Sequence, residues 1–199
     1  MSERAESESA KDSGNINDES AEAPESEEPD ASEPVDTETA DAEPQKEEPK
    51  EPTYATVMFT GDVLLSDYVL NNYDSSGING VVDKALLKKL KKADILAINN
   101  EFPYSTRGSK APDKQFTFRV DPKYVSVIKE MGVDIAGLAN NHVLDFGKDA
   151  LSDTFETLDS AGIPYIGAGD SRERARKLQI EEIAGMKIGF LAASRVIPV

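Results

Sequence analysis

The fold is decided by Val133-Asp-Ile-Ala-Gly-Leu-Ala-Asn-Asn-His142, a stretch in which an apolar run ends abruptly in polar side chains. Such a run, short and bounded by polar residues, predicts a buried strand followed by a turn. Residues 54–62 and 94–101 repeat the arrangement, ending at Asp62 and at Glu101. Three buried strands that each end in polar side chains predict an α/β fold with a functional edge.

Helical patterns separate these strands. Residues 82–92 carry apolar side chains at helical spacing, with lysines on the other side. Asp121 and Pro122 have the character of a helix start, and Gly132 that of a helix end. Further helices are predicted at 148–161 and 172–176, and further strands at 114–120, 164–167, 178–183 and 187–192. The alternation predicts a largely parallel sheet followed by an antiparallel pair.

The first 53 residues form a segment of different composition. They hold 19 acidic and 4 basic residues, which account for -15 of the net charge of -16, and no aromatic residue precedes Tyr54. Such a segment cannot bury enough apolar surface to offset the entropy of ordering. We therefore expect a disordered acidic spacer rich in Pro, Glu and Ser at 1–53, and a folded domain at 54–199. Binding of a cation or a basic partner by the spacer is the alternative.

Composition excludes several classes of function. A pI near 4.5 argues against nucleic acid as a partner. The absence of cysteine excludes disulfides, thiolate catalysis and cysteine-based zinc sites. No apolar run reaches the length of a membrane span. Because an acidic spacer before a domain is typical of tethered surface proteins, we expect the extracellular face of the cell membrane, with an anchor outside this chain.

The polar residues at the three strand ends form the candidate site. Parallel strands would bring Asp62, Glu101 and the Asn141-His142 pair to one edge of the sheet. Carboxylates, carboxamides and the only histidine suit Mn²⁺, Mg²⁺, Fe or Zn²⁺. Each residue also has an ordinary explanation, since Gly-Asp makes turns, Asn caps backbone and a lone His is often structural. Spacing alone leaves a metal site, an anion site and plain turns open.

Three motifs carry a resemblance to a known family. They are Thr60-Gly-Asp-Val-Leu-Leu65, Asn99-Asn-Glu-Phe-Pro103 and Gly137-Leu-Ala-Asn-Asn-His-Val-Leu-Asp-Phe-Gly147. In order and separation they resemble the bacterial poly-gamma-glutamate capsule biosynthesis proteins of the CapA or PgsA type, within the calcineurin-like metallophosphatase superfamily. The resemblance covers residues 54–199. It implies a metallophosphatase-like layered α/β/β/α sandwich, incomplete at its C-terminus in this chain.

The resemblance also implies roles for individual residues. Asp62 matches a metal-binding aspartate, Glu101 the position that bridges two metals, and Asn141 a metal-ligating asparagine. His142 matches the histidine that assists the leaving group, and Asp145 could orient its ring. The implied cofactor is a divalent metal, as two ions of Mn, Fe, Zn or Mg, and the implied chemistry is metal-assisted hydrolysis of a phosphoester. Candidate substrate contacts are Asn100, Asn140 and Arg119.

Two departures from the superfamily pattern limit this interpretation. Leu64 stands where a histidine ligand is usual, and no histidine follows His142. We expect the missing ligands beyond Val199, and this fragment alone to be inactive. Three hypotheses follow: a capsule or polyglutamate biosynthesis protein with phosphoesterase-like chemistry, a non-catalytic surface component that binds polymer, and a phosphodiesterase unrelated to capsules. The expected partners are an anionic polymer or phosphoester and other capsule-synthesis membrane proteins.

Overall fold

The computed structural model describes residues 53–196, so the spacer predicted at 1–53 lies outside the described residues except for its last position. Its strands and helices confirm the α/β class. In chain order they are β1 (Val57–Val63), α1 (Asp67–Ser76), a 3-10 turn (Gly77–Gly80), α2 (Lys84–Leu90), β2 (Ile95–Asn100), a second 3-10 turn (Pro122–Tyr124), α3 (Val125–Met131), β3 (Ile135–Gly137), α4 (Gly147–Ala161), β4 (Tyr165–Ile166), α5 (Arg172–Ala175), β5 (Gln179–Ile183) and β6 (Met186–Phe190). Across this described region, no helix combines the length and the apolar character that crossing a membrane requires.

The sheet confirms the predicted topology. Strands β1 to β4 are parallel and lie in the order β1-β2-β3-β4. Strands β5 and β6 form a separate antiparallel pair. Because the four parallel strands run in one direction, their carboxyl ends, which carry the three polar clusters, meet at one edge.

Two apolar cores lie on the two faces of the sheet. On β2, Leu96 and Ile98 join a core shared with α2, α3 and α4. Ile95 and Ala97 alternate with them and join a second core that includes Phe190 of β6. This alternation is the period of two expected of a strand. The described residues therefore stack as helices, parallel sheet and hairpin, which agrees with the metallophosphatase-like layering predicted.

A β-bulge in β1 determines the direction of Asp62. Between its paired positions β1 has one more residue than β2, and Gly61 adopts a φ of 76° there. Glycine tolerates this left-handed conformation, and the extra residue reverses the alternation of the strand. Val57 accordingly packs in the hairpin-side core and Val63 in the helix-side core, although both have odd numbers. Asp62 therefore faces the same side as Asn99, its partner in register.

The helices begin and end where capping chemistry predicts. The Asp83 carboxylate accepts hydrogen bonds from the amides of Ala85 and Leu86 at 2.8 and 3.0 Å, which satisfies the first turn of α2. Helices α3 and α4 end at Gly132 and Gly162, both in the left-handed conformation. The helices predicted at 82–92, 122–131 and 148–161 are confirmed, with the first turn of the second in 3-10 form.

Two local expectations differ from the structure. The strand predicted at 114–120 was wrong, because only Val120 pairs, in a single bridge to Tyr104. The amide of Phe118 instead donates to the Asp145 side chain. Helix α1 was not predicted. Its asparagines and serines are weak helix formers, and it is held by partial packing of its apolar side chains on the helix-side core.

Candidate functional site

Asn99 links the two carboxylates of the candidate site. Its Nδ2 donates to Asp62 Oδ1 at 2.8 Å and to Glu101 Oε1 at 2.5 Å. Asp62 is exposed, whereas Glu101 is only 9% exposed. Two negative charges from neighbouring strands thus converge on one neutral amide. Since like charges repel strongly in a partly buried site, this arrangement favours a cation beside the two carboxylates.

His142 lies beside this pair with a defined ring orientation. Its Nδ1 is 2.8 Å from Asp145 Oδ2. An ionised carboxylate can only accept, so Nδ1 carries the proton of this hydrogen bond. Nε2 lies 3.7 Å from Glu101 Oε2, which is too long for a direct hydrogen bond. The Phe118 ring packs against the imidazole, with centroids 4.5 Å apart. Nε2 is therefore the nitrogen that faces the Glu101 carboxylate.

Asp145 is enclosed by hydrogen-bond donors. Its side chain is 0% exposed. Besides His142, it accepts from the Phe118 amide at 2.6 Å and from Lys114 Nζ. Lys114 also donates to the backbone carbonyl of Asn141. Sequence reasoning missed Lys114, because a lysine in an irregular segment 31 residues away from its partner leaves no pattern in the chain.

Asn140 connects the end of β2 to the motif that follows β3. Its Nδ2 donates to Asn99 Oδ1 at 3.0 Å and to the carbonyl of Asn100 at 2.9 Å. Its Oδ1 accepts from the His142 amide at 3.0 Å. Both amide protons are thus committed within the fold, and the residue is 6% exposed. The structure places Asn140 as a brace of the site, whereas the sequence suggested a substrate contact.

The other two asparagines of the motifs have opposite environments. Asn100 lies on the helix side of β2, is 0% exposed, and donates to the carbonyl of Phe102 at 2.6 Å. A substrate cannot reach this side chain, so the predicted contact is not supported. Asn141 is half-buried, and within residues 53–196 its side chain makes no hydrogen bond. Its carboxamide oxygen is therefore available to a ligand.

Arg119, the candidate substrate contact, and its neighbour Arg107 are held within the fold. The Arg119 guanidinium stacks on the Phe146 ring at 4.2 Å and donates to the carbonyl of Arg107 at 2.7 Å. Arg107 in turn pairs with Asp153 through two nitrogens. The Arg107 guanidinium, aided by the Ser105 hydroxyl, holds the pKa of Asp153 below its usual value, against the opposing effect of burial. Both arginines thus have structural partners, and neither points a free guanidinium at the carboxylate pair.

The donor set fits part of a metal site. No group of three or more histidine, cysteine or acidic side chains in the described part of the chain is arranged to hold a metal. Asp62, Glu101 and the Asn141 carboxamide are nevertheless the hard oxygen donors that Mn²⁺, Mg²⁺ or Zn²⁺ accept, and His142 Nε2 lies 3.7 Å from the Glu101 carboxylate. Leu64, which is 37% exposed, offers no donor at the position where a histidine was expected. The residues present therefore fit one portion of a ligand set.

Comparison with known proteins identifies the family. Residues 56–198 match the model of the family described as Bacterial capsule synthesis protein PGA_cap. This chain belongs to that family. One similar protein is Capsule biosynthesis protein CapA of Bacillus anthracis, which is 25% identical over 139 residues that cover 68% of this chain and 34% of that protein. PGA biosynthesis protein CapA of Bacillus subtilis (strain 168) is 26% identical over 140 residues, covering 69% and 37%.

A third relative extends the comparison beyond Bacillus. A probable polyglutamine synthesis accessory protein of Mycobacterium tuberculosis is 37% identical over 84 residues, covering 42% of this chain and 22% of that protein. The present chain spans about a third of the length of each of the two CapA proteins. All residues of the candidate site lie inside the matched region, and the membership confirms the resemblance carried by the three motifs.

Proposed function

We propose that this capsule synthesis protein acts in making an anionic capsular polymer, and that Asp62, Glu101, Asn141 and His142 are part of a divalent-metal site of the phosphoester-hydrolase type. One observation carries the proposal: the carboxylates of Asp62 and Glu101 converge on the Asn99 amide. The names of the CapA and polyglutamine-synthesis relatives support the polymer. These residues supply part of a ligand set, because Leu64 offers no donor at the position where a histidine was expected.

The side chains of this site would divide the chemistry between them. A divalent ion bound there would supply an activated water and would neutralise the charge that develops on the phosphoryl group. Asp62 and Glu101 would hold the ion through carboxylate oxygens, and Asn141 would hold it through its carboxamide oxygen. A His142 ring that has taken a proton at Nε2 would donate it to the leaving oxygen, and would return to the Nδ1–H form whose remaining proton is engaged by Asp145. Asp145 keeps the ring in the orientation that this transfer requires.

A non-catalytic role is the second candidate. It is favoured by Leu64 at a ligand position and by the incomplete donor set within residues 53–196. Under this alternative the protein binds the capsular polymer at the outer face of the cell membrane, beside other capsule-synthesis membrane proteins. Cleavage of the protein in intact cells by an external protease tests that location, and complete protection would contradict it.

The metal is the feature that separates the two candidates. Mn²⁺ binding is measured by calorimetry on the chain, on Asp62→Ala and Glu101→Gln, and on Asp159→Ala as an exposed acidic control on α4. We expect Mn²⁺ affinity to fall at least about tenfold in the two site variants, because each removes a charged ligand, and to be unchanged in the control. Equal affinity in all four proteins would contradict the metal site. Polyglutamate binding that is salt-dependent and indifferent to Asp62→Ala would favour the non-catalytic role.

A further inference from the structure

The segment from 108 to 118 is fastened to the motif that carries His142. The Ala111 amide donates to the backbone carbonyl of Asp145 at 2.8 Å. The Phe118 amide donates to Asp145 Oδ2 at 2.6 Å, and Lys114 Nζ donates to Asp145 Oδ1. Three donors from one irregular segment thus meet a single residue. The sequence predicts none of these contacts, and the residue they meet is the one that orients the histidine.

Lys114 occupies a particular place among these donors. The Asp145 side chain is 0% exposed and that of Lys114 is 24% exposed. A buried carboxylate is strongly destabilised unless it is paired and hydrogen-bonded. Lys114 provides the positive charge, and a second hydrogen bond from Nζ to the Asn141 carbonyl limits where that charge can move. With Oδ1 engaged by the ammonium, Oδ2 is left to face the imidazole.

We propose that Lys114 is a positioning residue of the candidate site, which acts through Asp145 to hold His142 in the Nδ1–H tautomer with Nε2 toward Glu101. The use of Nε2 in phosphoester chemistry rests on the proposed function, whereas the tautomer of the His142 ring can be tested independently of it. A lysine that merely tethered a loop would stabilise the fold and leave the tautomer unchanged. The two roles therefore differ in a property of the imidazole that can be observed directly.

The chain offers an unusually clean probe, because it contains one histidine. Nitrogen-15 labelling of histidine gives a single pair of ring signals, whose shifts report which nitrogen is protonated. At about pH 8.5, two units above the ordinary histidine pKa of about 6.5, a free ring is neutral and averages both tautomers. We expect the wild-type ring to show the Nδ1–H form. Lys114→Met should move the signals to the averaged values.

Two further variants serve as controls. Lys114→Arg keeps a charge and several donors and should retain the wild-type ring signals, and Lys110→Met removes an exposed lysine of the same segment and should change nothing. Loss of the Lys114 ammonium should loosen the Asp145 carboxylate from the Phe118 amide as well, so that amide should exchange with solvent up to about tenfold faster in Lys114→Met, since a hydrogen bond to a carboxylate is worth at least about that factor. If Lys114→Met does not fold, Lys114→Gln replaces it. Its shorter side chain cannot span both acceptors, so the same averaging is expected.

The outcomes separate this inference from the proposed function. A folded Lys114→Met or Lys114→Gln variant with the wild-type ring signals overturns the positioning role. Averaged ring signals in the Lys114→Met variant, together with no Mn²⁺ binding by the wild-type chain, support the positioning role and count against the metal site. Mn²⁺ binding by the wild-type chain, together with unchanged ring signals in the variant, supports the metal site and counts against the positioning role. Averaging in Lys110→Met as well would also overturn the role, because the effect would then not belong to Lys114.

Discussion

Replacing Asn140 by alanine tests how the candidate site is held together. The Asn140 side chain donates to Asn99 Oδ1 and to the Asn100 carbonyl, and it accepts from the His142 amide, at 3.0, 2.9 and 3.0 Å. Alanine removes all three hydrogen bonds at a position only 6% exposed. At about 1 kcal/mol per hydrogen bond, more where a buried partner is left unpaired, the free energy of unfolding should fall by about 3 kcal/mol. For a domain of this size the Tm should fall by about 10 °C.

The matched control is the neighbouring asparagine. Asn141→Ala removes the same type of side chain, but within residues 53–196 that side chain makes no hydrogen bond, so the expected change is below about 0.5 kcal/mol. Under the proposed function it should weaken Mn²⁺ binding instead. Urea unfolding followed by circular dichroism measures both variants, since the chain has no tryptophan to report by fluorescence. A loss below about 1 kcal/mol for Asn140→Ala, or equal losses for the two, would refute the reasoning.

Two further predictions concern the segment beside the site. Gly108 and Gly147 have φ of 85° and 83°, but only at Gly108 would a Cβ meet another atom, the Phe146 carbonyl oxygen at 2.0 Å. Gly147→Ala should therefore lose about 1 kcal/mol of unfolding free energy to strain, and Gly108→Ala a further 1–3 kcal/mol, roughly; equal thermal shifts would contradict the close contact. The second prediction concerns pH. Because Arg107 lowers the folded pKa of Asp153, this pair contributes stability above about pH 4 and loses it as the pH falls through that pKa. Arg107→Met should be less stable than wild type at pH 7, with the two unfolding free energies converging in acid; a difference that persists undiminished at low pH would exclude this pair as its cause.

The local signals in the chain predicted most of the framework. Strands β1, β2 and β3 were recognisable from their apolar runs, although β1 is half-buried to exposed and not buried as predicted. Helices α2, α3 and α4 were recognisable from their spacing, their cap residues and their terminal glycines. These features depend on neighbours within a few residues, which is the range that a sequence pattern reports. Helix α1 and the segment at 114–120 escaped prediction for the opposite reason. Their conformations follow from packing and from hydrogen bonds to distant residues.

The candidate site divides in the same way. Asp62, Glu101 and His142 could be singled out by sequence alone, because each follows an apolar run and parallel strands end at a common edge. The roles of their neighbours could not. A bulge reverses the alternation of β1 and turns Asp62 toward Asn99, while strict alternation on β2 places Asn99 at the site and Asn100 inside the helix-side core.

Long-range contacts determined the remaining features of the candidate site. Sequence determined that carboxylates, carboxamides and one histidine would gather at the end of the sheet. Only tertiary structure decided that Asn140 braces them and that Lys114 meets Asp145 across 31 residues. The physical reason is that a buried carboxylate or carboxamide takes its partners from whichever backbone and side-chain groups the fold brings within hydrogen-bonding distance. These partners depend on proximity in three dimensions, which a pattern of consecutive residues does not report.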